Sequence, residues 1–171
     1  MKRGLDQLIL ECYSALYRYA RVLCRDPVVA EDLVQEALLR AMRASRPPRE
    51  PSLVHVRPWL FRILRNVWLN ECRRRRRDVP EESLAADPAL PMEPGPSGEA
   101  DRYRVLAAIE SLPPLYREVI LLRDLEGLSY QEIAHLLECP LGTVMSRLAR
   151  ARSKLRRALL GTLAPQGKKA S

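Results

Sequence analysis

Residues 79–100, VPEESLAADPALPMEPGPSGEA, hold five prolines, two glycines, five acids and no base in 22 positions. Proline fixes φ and lacks the amide donor, so no helix of useful length fits this spacing. Such a stretch reads as a flexible, extended linker, and the chain on either side must build its own core. The flanks carry the opposite charge. Residues 1–78 have 17 Lys/Arg against 9 Asp/Glu, and residues 101–171 have 12 against 7. The net charge of +8 is therefore concentrated in two basic domains, expected at 1–78 and 101–163, with a polar tail at 164–171.

Positive charge of this size points to an anionic partner, either nucleic acid or a membrane surface. The membrane reading is weak, because the longest uninterrupted aliphatic run is Val119 to Leu122. Asp6 and Glu11 interrupt any signal-like start, so the expected compartment is the cytoplasm. Hydrophobic residues make up 47% of the chain but aromatics only 5%, a balance that favours helix over sheet and predicts an all-α fold. Cys12, Cys24, Cys72 and Cys139 form no CxxC pair and are read as reduced, mainly buried thiols. His135 and Cys139 share a helical spacing, but no second pair completes a metal site. No metal or cofactor is expected.

Helical periodicity runs through both domains. Ile9, Cys12, Leu16, Tyr19 and Leu23 step by three and four, predicting one helix that ends at RDP. AEDLVQEALLRAMRA predicts a second, with Asp32, Gln35 and Glu36 outward. Pro58 suits the first turn of a third, PWLFRILRNVWLNECRRRRR. In the second domain a helix over Tyr103–Ser111 is stopped by Pro113 and Pro114, and another runs from Leu115 to Leu125.

The segment after Gly127 is the most specific. Ser129 and Glu132 form an S-x-x-E capping box, so a helix starts at Tyr130. Pro140 and Gly142 force a turn into a new helix whose Val144, Leu148, Ala151 and Leu155 fall on one arc. Small and basic residues face the other way: Ser146, Ala149 and Arg150, flanked by Thr143, Met145 and Arg147. This is the pattern of a helix-turn-helix over 130–149, whose second helix can enter a major groove. A helical hairpin with a solvated basic face is the plainer alternative.

The third predicted helix carries Asn66 and Asn70 one turn apart, beside Arg62, Arg65, Trp59 and Trp68, and runs into Arg73 to Arg77. Asparagine is a poor helix-interior residue. Amides can read base edges, rings can stack on exposed bases and Arg can hold the backbone, which together suit opened or single-stranded DNA. The alternative is two core tryptophans and a soluble helix end. Trp59 fits the core; the Arg run fits phosphate contact, since like charges repel unless a polyanion is near. The acids of the second predicted helix, taken alone, fit an ordinary solvated face.

AEDLVQEALLRAMRA, WLFRILRNVWLNECRRRR and SLPPLYREVILLRDLEGLSYQEIAHLLECPLGTVMSRLARARSKL, in that order, resemble the extracytoplasmic-function (group 4) sigma factors of bacterial RNA polymerase. The resemblance implies a region 2 bundle and a region 4 helix-turn-helix. It implies that Asp32, Leu33, Gln35 and Glu36 dock on core polymerase, whose contacts would be the clamp helices of the largest subunit and the flap. Arg62, Arg65, Asn66, Asn70 and Arg73, Arg74, Arg75 and Arg76 would then serve the −10 element, Asn66 by capturing a flipped base. Thr143, Met145, Ser146, Arg147, Ala149 and Arg150 would lie on the −35 element. An anti-sigma factor is an implied partner. The chain departs from the family at Met145, where Arg or Lys is usual and where a thioether can neither hold phosphate nor donate to guanine. The segment PPREPSLVHVRP before Trp59 is also unusually rich in proline.

No P-loop, triad or paired-carboxylate site is present, so no catalytic activity is expected. Two rival readings differ in kind. A stand-alone helix-turn-helix repressor would need a dimerisation seam, and none is visible. A sigma mimic acting by protein sequestration would need neither the Arg run nor an intact recognition helix.

Overall fold

Eight α-helices and one π-helical turn, with no strand, make up the described residues. The structure is a computed structural model that describes residues 4–50, 52–78 and 99–163, except for the side chains of 76–78, 99–103 and 162–163. The expected linker lies outside the described residues apart from positions 99 and 100, which are helical, and so does the expected tail.

The first domain contains α1 (Leu5–Glu11), α2 (Tyr13–Cys24), α3 (Pro27–Met42) and α4 (Leu53–Asp78). The single first helix expected from periodicity is two helices. At Cys12 the amide donates to Ile9 O at 3.1 Å, a three-residue step that tightens the turn before α2 begins. The apolar stripe continues across the break: Ile9, Cys12, Leu16 and Tyr19 are all buried, whereas Leu23 is only half-buried. RDP then does two jobs. Arg25 takes a left-handed φ of 59° and closes α2 on Arg21 O. Asp26 caps α3, accepting from the amides of Val28 and Val29 at 2.8 and 3.0 Å, with Pro27 at the first helical position.

Helix α4 begins at Leu53, five residues before the expected Pro58 start. Ser52 O accepts from the amides of His55 and Val56, which sets the first turn before the proline is reached. Pro58 thus lies inside the helix and deprives the Val54 carbonyl of its amide partner, at an exposed stretch where solvent can replace it. Val56, Leu60, Phe61, Leu64 and Val67 form the buried face of α4.

The second domain contains α5 (Glu99–Glu110), α6 (Pro114–Ile120), a π turn (Leu121–Leu125), α7 (Tyr130–Leu137) and α8 (Leu141–Leu163). Helix α5 starts four residues before the expected Tyr103. Gly127, at φ 73°, lets the chain leave the π turn, and the Leu128 amide returns to Leu122 O at 2.9 Å. Val119, Ile120, Leu122, Ile133, Val144, Leu148 and Ala151 form its core. Each fully buried Leu or Ile contributes about 1.5–3 kcal/mol by leaving water. The two domains pack α2 on α6 and α4 on α7, so their cores join in one continuous cluster.

Candidate nucleic-acid interface

The capping box forms in full. Ser129 Oγ accepts from the Glu132 amide at 3.1 Å, and Glu132 Oε2 accepts from the Ser129 amide at 2.6 Å. Glu138 ends α7 in the left-handed region, and Pro140 O accepts from the amide of Thr143 as α8 begins. Val144, Leu148 and Ala151 are buried, and Leu155 packs half-buried beside them. Met145, Ser146, Ala149 and Arg150 are exposed on the opposite side, while Thr143 and Arg147 are half-buried. The Ser146 hydroxyl donates to Thr143 O, and Arg147 reaches toward Cys139 Sγ at 4.0 Å. Arg150 is therefore the exposed arginine among the expected −35 residues, whereas Arg147 is half-buried.

Two contacts brace this unit from the π turn. Arg152 grips Asp124 through two hydrogen bonds, at 3.1 and 2.5 Å, and that bonding strengthens its hold on its proton. Arg123 donates to Leu128 O and stacks 4.7 Å from the centre of the Tyr130 ring.

On α4, Arg62, Asn66 and Asn70 form an exposed stripe at four-residue spacing, extended by exposed Arg73. Arg73 donates to Asn70 Oδ1 at 3.3 Å. Arg74 and Arg75 both bond Glu71, at 3.2 and 3.0 Å, and the hydrogen bond from Arg75 holds that carboxyl below its ordinary range. Part of the Arg run is thus internally neutralised. Arg76 lies in α4, but its side chain is outside the described set. Trp59 and Trp68 are half-buried against the core. Arg65 leaves the stripe for the second domain, where its Nε donates to Glu118 at 3.1 Å.

On α3, Asp32 and Gln35 are exposed, and Glu36 pairs with Arg40 at 2.6 Å. Leu33 is 4% exposed and belongs to the core, because its place in the apolar period sets it beside Val34 and Ala37. A groove between α3 and α4 is lined by Asp32, Glu36, Arg40, Asn70, Glu71 and Arg74. The acidic docking candidates and the basic strand-reading candidates are thus neighbours.

Sequence reasoning missed the seam between the domains. Glu118 and Glu126 are buried, and every partner found for their carboxylates lies in the first domain. Tyr19 Oη donates to Glu118 at 2.6 Å, Arg18 Nε to Glu126 at 2.8 Å, and Arg57 Nη2 lies 3.2 Å from Glu126. The available signal was an acid directly before the apolar run Val119 to Leu122. Four cysteines are free, and burial pushes the Cys12 and Cys24 thiols up, away from thiolate. Among the described residues no group of His, Cys, Asp and Glu is arranged for a metal ion, and no helix is long and apolar enough to cross a membrane.

A capped helix-turn-helix in the second domain and a basic, amide-bearing helix in the first are thus the two exposed polar surfaces of interest. Residues 8–78 match the Sigma-70 region 2 family, and residues 102–155 match the Sigma-70, region 4 family. The chain is 37% identical over 147 residues to the ECF RNA polymerase sigma factor EcfG of Rhodopseudomonas palustris, covering 86% of this chain and 80% of that protein. It is 38% identical over 136 residues to the ECF RNA polymerase sigma-E factor of Escherichia coli, covering 72% and 70%. Its fold is similar to the sigma factor RpoE of Bartonella quintana, solved in complex with the anti-sigma factor NepR, with a TM-score of 0.73, 32% identity and coverage of 91% and 95%. The chain belongs to the ECF RNA polymerase sigma factors, promoter-recognising alternative sigma factors built from regions 2 and 4. That family comprises transcription initiation factors.

Proposed function

We propose that this sigma factor works as a dissociable, non-enzymatic subunit of a cytoplasmic polymerase, with region 2 over 1–78 and region 4 over 101–163. The observation that carries the assignment of roles is the exposed stripe Arg62, Asn66, Asn70 and Arg73 on one helix, paired with a capped helix-turn-helix elsewhere. Asn66 and Asn70 offer amides to unstacked bases of the −10 strand, while Arg62 and Arg73 hold its phosphates. Ser146, Arg147 and Arg150 contact the −35 duplex through the α8 face. Asp32, Gln35 and Glu36 dock on the polymerase clamp helices. Core polymerase holds both readers on one promoter, so two weak sites act together, and melted DNA is trapped by captured bases.

The relative solved with NepR supports an anti-sigma factor as a further partner of this chain. Run-off transcription with core polymerase and a promoter library tests the assignment. Specific starts that share two upstream boxes are expected. No specific starts, with tight DNA binding by the chain alone, would instead favour a stand-alone repressor. Neither DNA binding nor specific starts would favour a protein-sequestering mimic.

A further inference from the structure

Helix α8 does not stop where the helix-turn-helix ends. It runs on to Leu163, about three and a half turns past Arg150. Ser146, Arg150, Ser153 and Arg157 follow one another at steps of four, three and four residues, and all four are exposed. That spacing stacks them along one helical face, so the duplex-reading face continues about two turns beyond Arg150. On the other side of the same stretch Leu155, Ala158 and Leu159 are half-buried, and α8 packs on α5 and α6. The extension is thus a fixed part of the second domain.

Its charge is one-sided. From Cys139 to Leu163 the chain has six bases and no acid. Three of the bases have local partners: Arg152 bonds Asp124, Lys154 lies 5.9 Å from the centre of the Tyr116 ring, and Arg147 reaches toward Cys139. Arg150, Arg156 and Arg157 are exposed. Attraction to the helix dipole does not account for the last two, because it fades beyond the final turn and the last turn of α8 holds no base. The Arg157 guanidinium donates to Ser153 Oγ at 3.5 Å, which lays it back along the exposed face toward the helix-turn-helix.

A major groove is about 12 Å wide, whereas Ser146 and Arg157 are about 16 Å apart along the helix axis at about 1.5 Å per residue. A helix seated with Ser146 and Arg150 against base edges therefore carries Arg157 past the groove wall, where the phosphates are. We infer that Arg157 is a second anchor of the −35 reader: a phosphate contact outside the helix-turn-helix that fixes the register of α8 on the duplex and reads no sequence itself. This rests on the placement of the α8 face on the −35 duplex. Arg156 lies about 100° round the helix from Arg157 and offers a comparison of equal charge.

Fluorescence anisotropy of the full chain on a labelled −35 duplex from the mapped promoter, repeated over a salt series, tests this. Arg157→Ala should lower the slope of log affinity against log salt by about 0.9, the counterion release of one duplex phosphate. It should weaken binding to a scrambled duplex to the same degree, so that the preference for the promoter sequence is kept. Arg156→Ala removes the same charge and should leave the slope close to wild type. Among duplexes that each carry one uncharged methylphosphonate, the wild-type chain should lose affinity at a phosphate that Arg157→Ala no longer senses. Both variants should melt with the wild-type chain, since both positions are exposed. Equal slope losses in the two variants would mark diffuse charge in place of a contact and overturn the proposal. An unchanged slope in Arg157→Ala would overturn it too, as would a loss of sequence preference, the mark of base reading. A wild-type chain that does not distinguish promoter from scrambled duplex, or an Arg150→Ala chain that binds as well as wild type, would overturn the placement of α8 itself and the anchor with it.

Discussion

Tyr19 meets Phe61 edge-to-face, with ring centroids 5.2 Å apart and planes at 71°, while its hydroxyl donates across the domain seam to Glu118 at 2.6 Å. One side chain thus joins the region 2 core to region 4. Burial, and then the Glu118 charge, raise the Tyr19 phenol well above its ordinary value. Below about pH 10 the phenol is protonated in both folded and unfolded chains, and its contribution is intact. Above that, the unfolded chain releases its proton first, so stability falls until the folded phenol ionises too. Thermal midpoints measured from pH 8 to 11 should fall at the alkaline end, and Tyr19→Phe should show a shallower fall. Identical slopes for the two proteins would show that Tyr19 is not coupled to stability there.

Asn66 is exposed at the centre of the α4 stripe, away from the buried face of that helix. Its replacement should spare stability and spoil promoter opening. Loss of one base-edge contact costs about 1–3 kcal/mol, or roughly 5- to 150-fold. Asn66→Ala holoenzyme should therefore bind promoter duplex normally and give at least about fivefold less permanganate-reactive DNA at the −10 element. Wild-type opening by this variant would remove Asn66 from the strand site.

Met145 is 52% exposed on the duplex-reading face, one position from Ser146 and five from Arg150. Arginine fits there without disturbing the buried Val144 and Leu148. Met145→Arg should tighten binding to −35 duplexes and steepen the salt dependence by about one unit of log–log slope, the signature of one added phosphate contact. An unchanged slope would place position 145 away from the DNA backbone.

The legible parts of this molecule are those whose cause is local. Ser129 and Glu132 lie three residues apart and form their reciprocal cap, and Val144, Leu148 and Ala151 share a face by helical geometry alone. The α4 amide stripe was visible for the same reason. Boundaries were less so: a proline allowed at a helix start is also tolerated inside a helix when the lost partner is exposed, as at Pro58. The seam was not legible. Tyr19 and Glu118 are 99 positions apart, and Arg18 and Glu126 are 108 apart, so no periodicity links them. Arg65 was read as a −10 contact through the family resemblance, whereas its partner in the structure, Glu118, is set by tertiary packing. Leu33 was grouped with its polar neighbours through the family resemblance, although its own apolar period places it inside.

That last contrast gives a clean separation of docking from folding on one helix. Asp32 and Gln35 are exposed on α3, whereas adjacent Leu33 is buried beneath them. Surface substitutions away from caps and cores change stability within about 0.5 kcal/mol. Truncating a buried Leu to Ala costs about 2–5 kcal/mol through lost burial and the cavity left behind. Asp32→Arg with Gln35→Ala should therefore melt with the wild-type chain and yet lose core polymerase in a gel-filtration or calorimetric binding assay. Leu33→Ala should behave in the opposite order: a midpoint lower by several degrees, with binding lost only in proportion to the unfolded fraction. If Leu33→Ala melted like wild type but failed to bind polymerase, α3 would dock through a face other than Asp32 and Gln35.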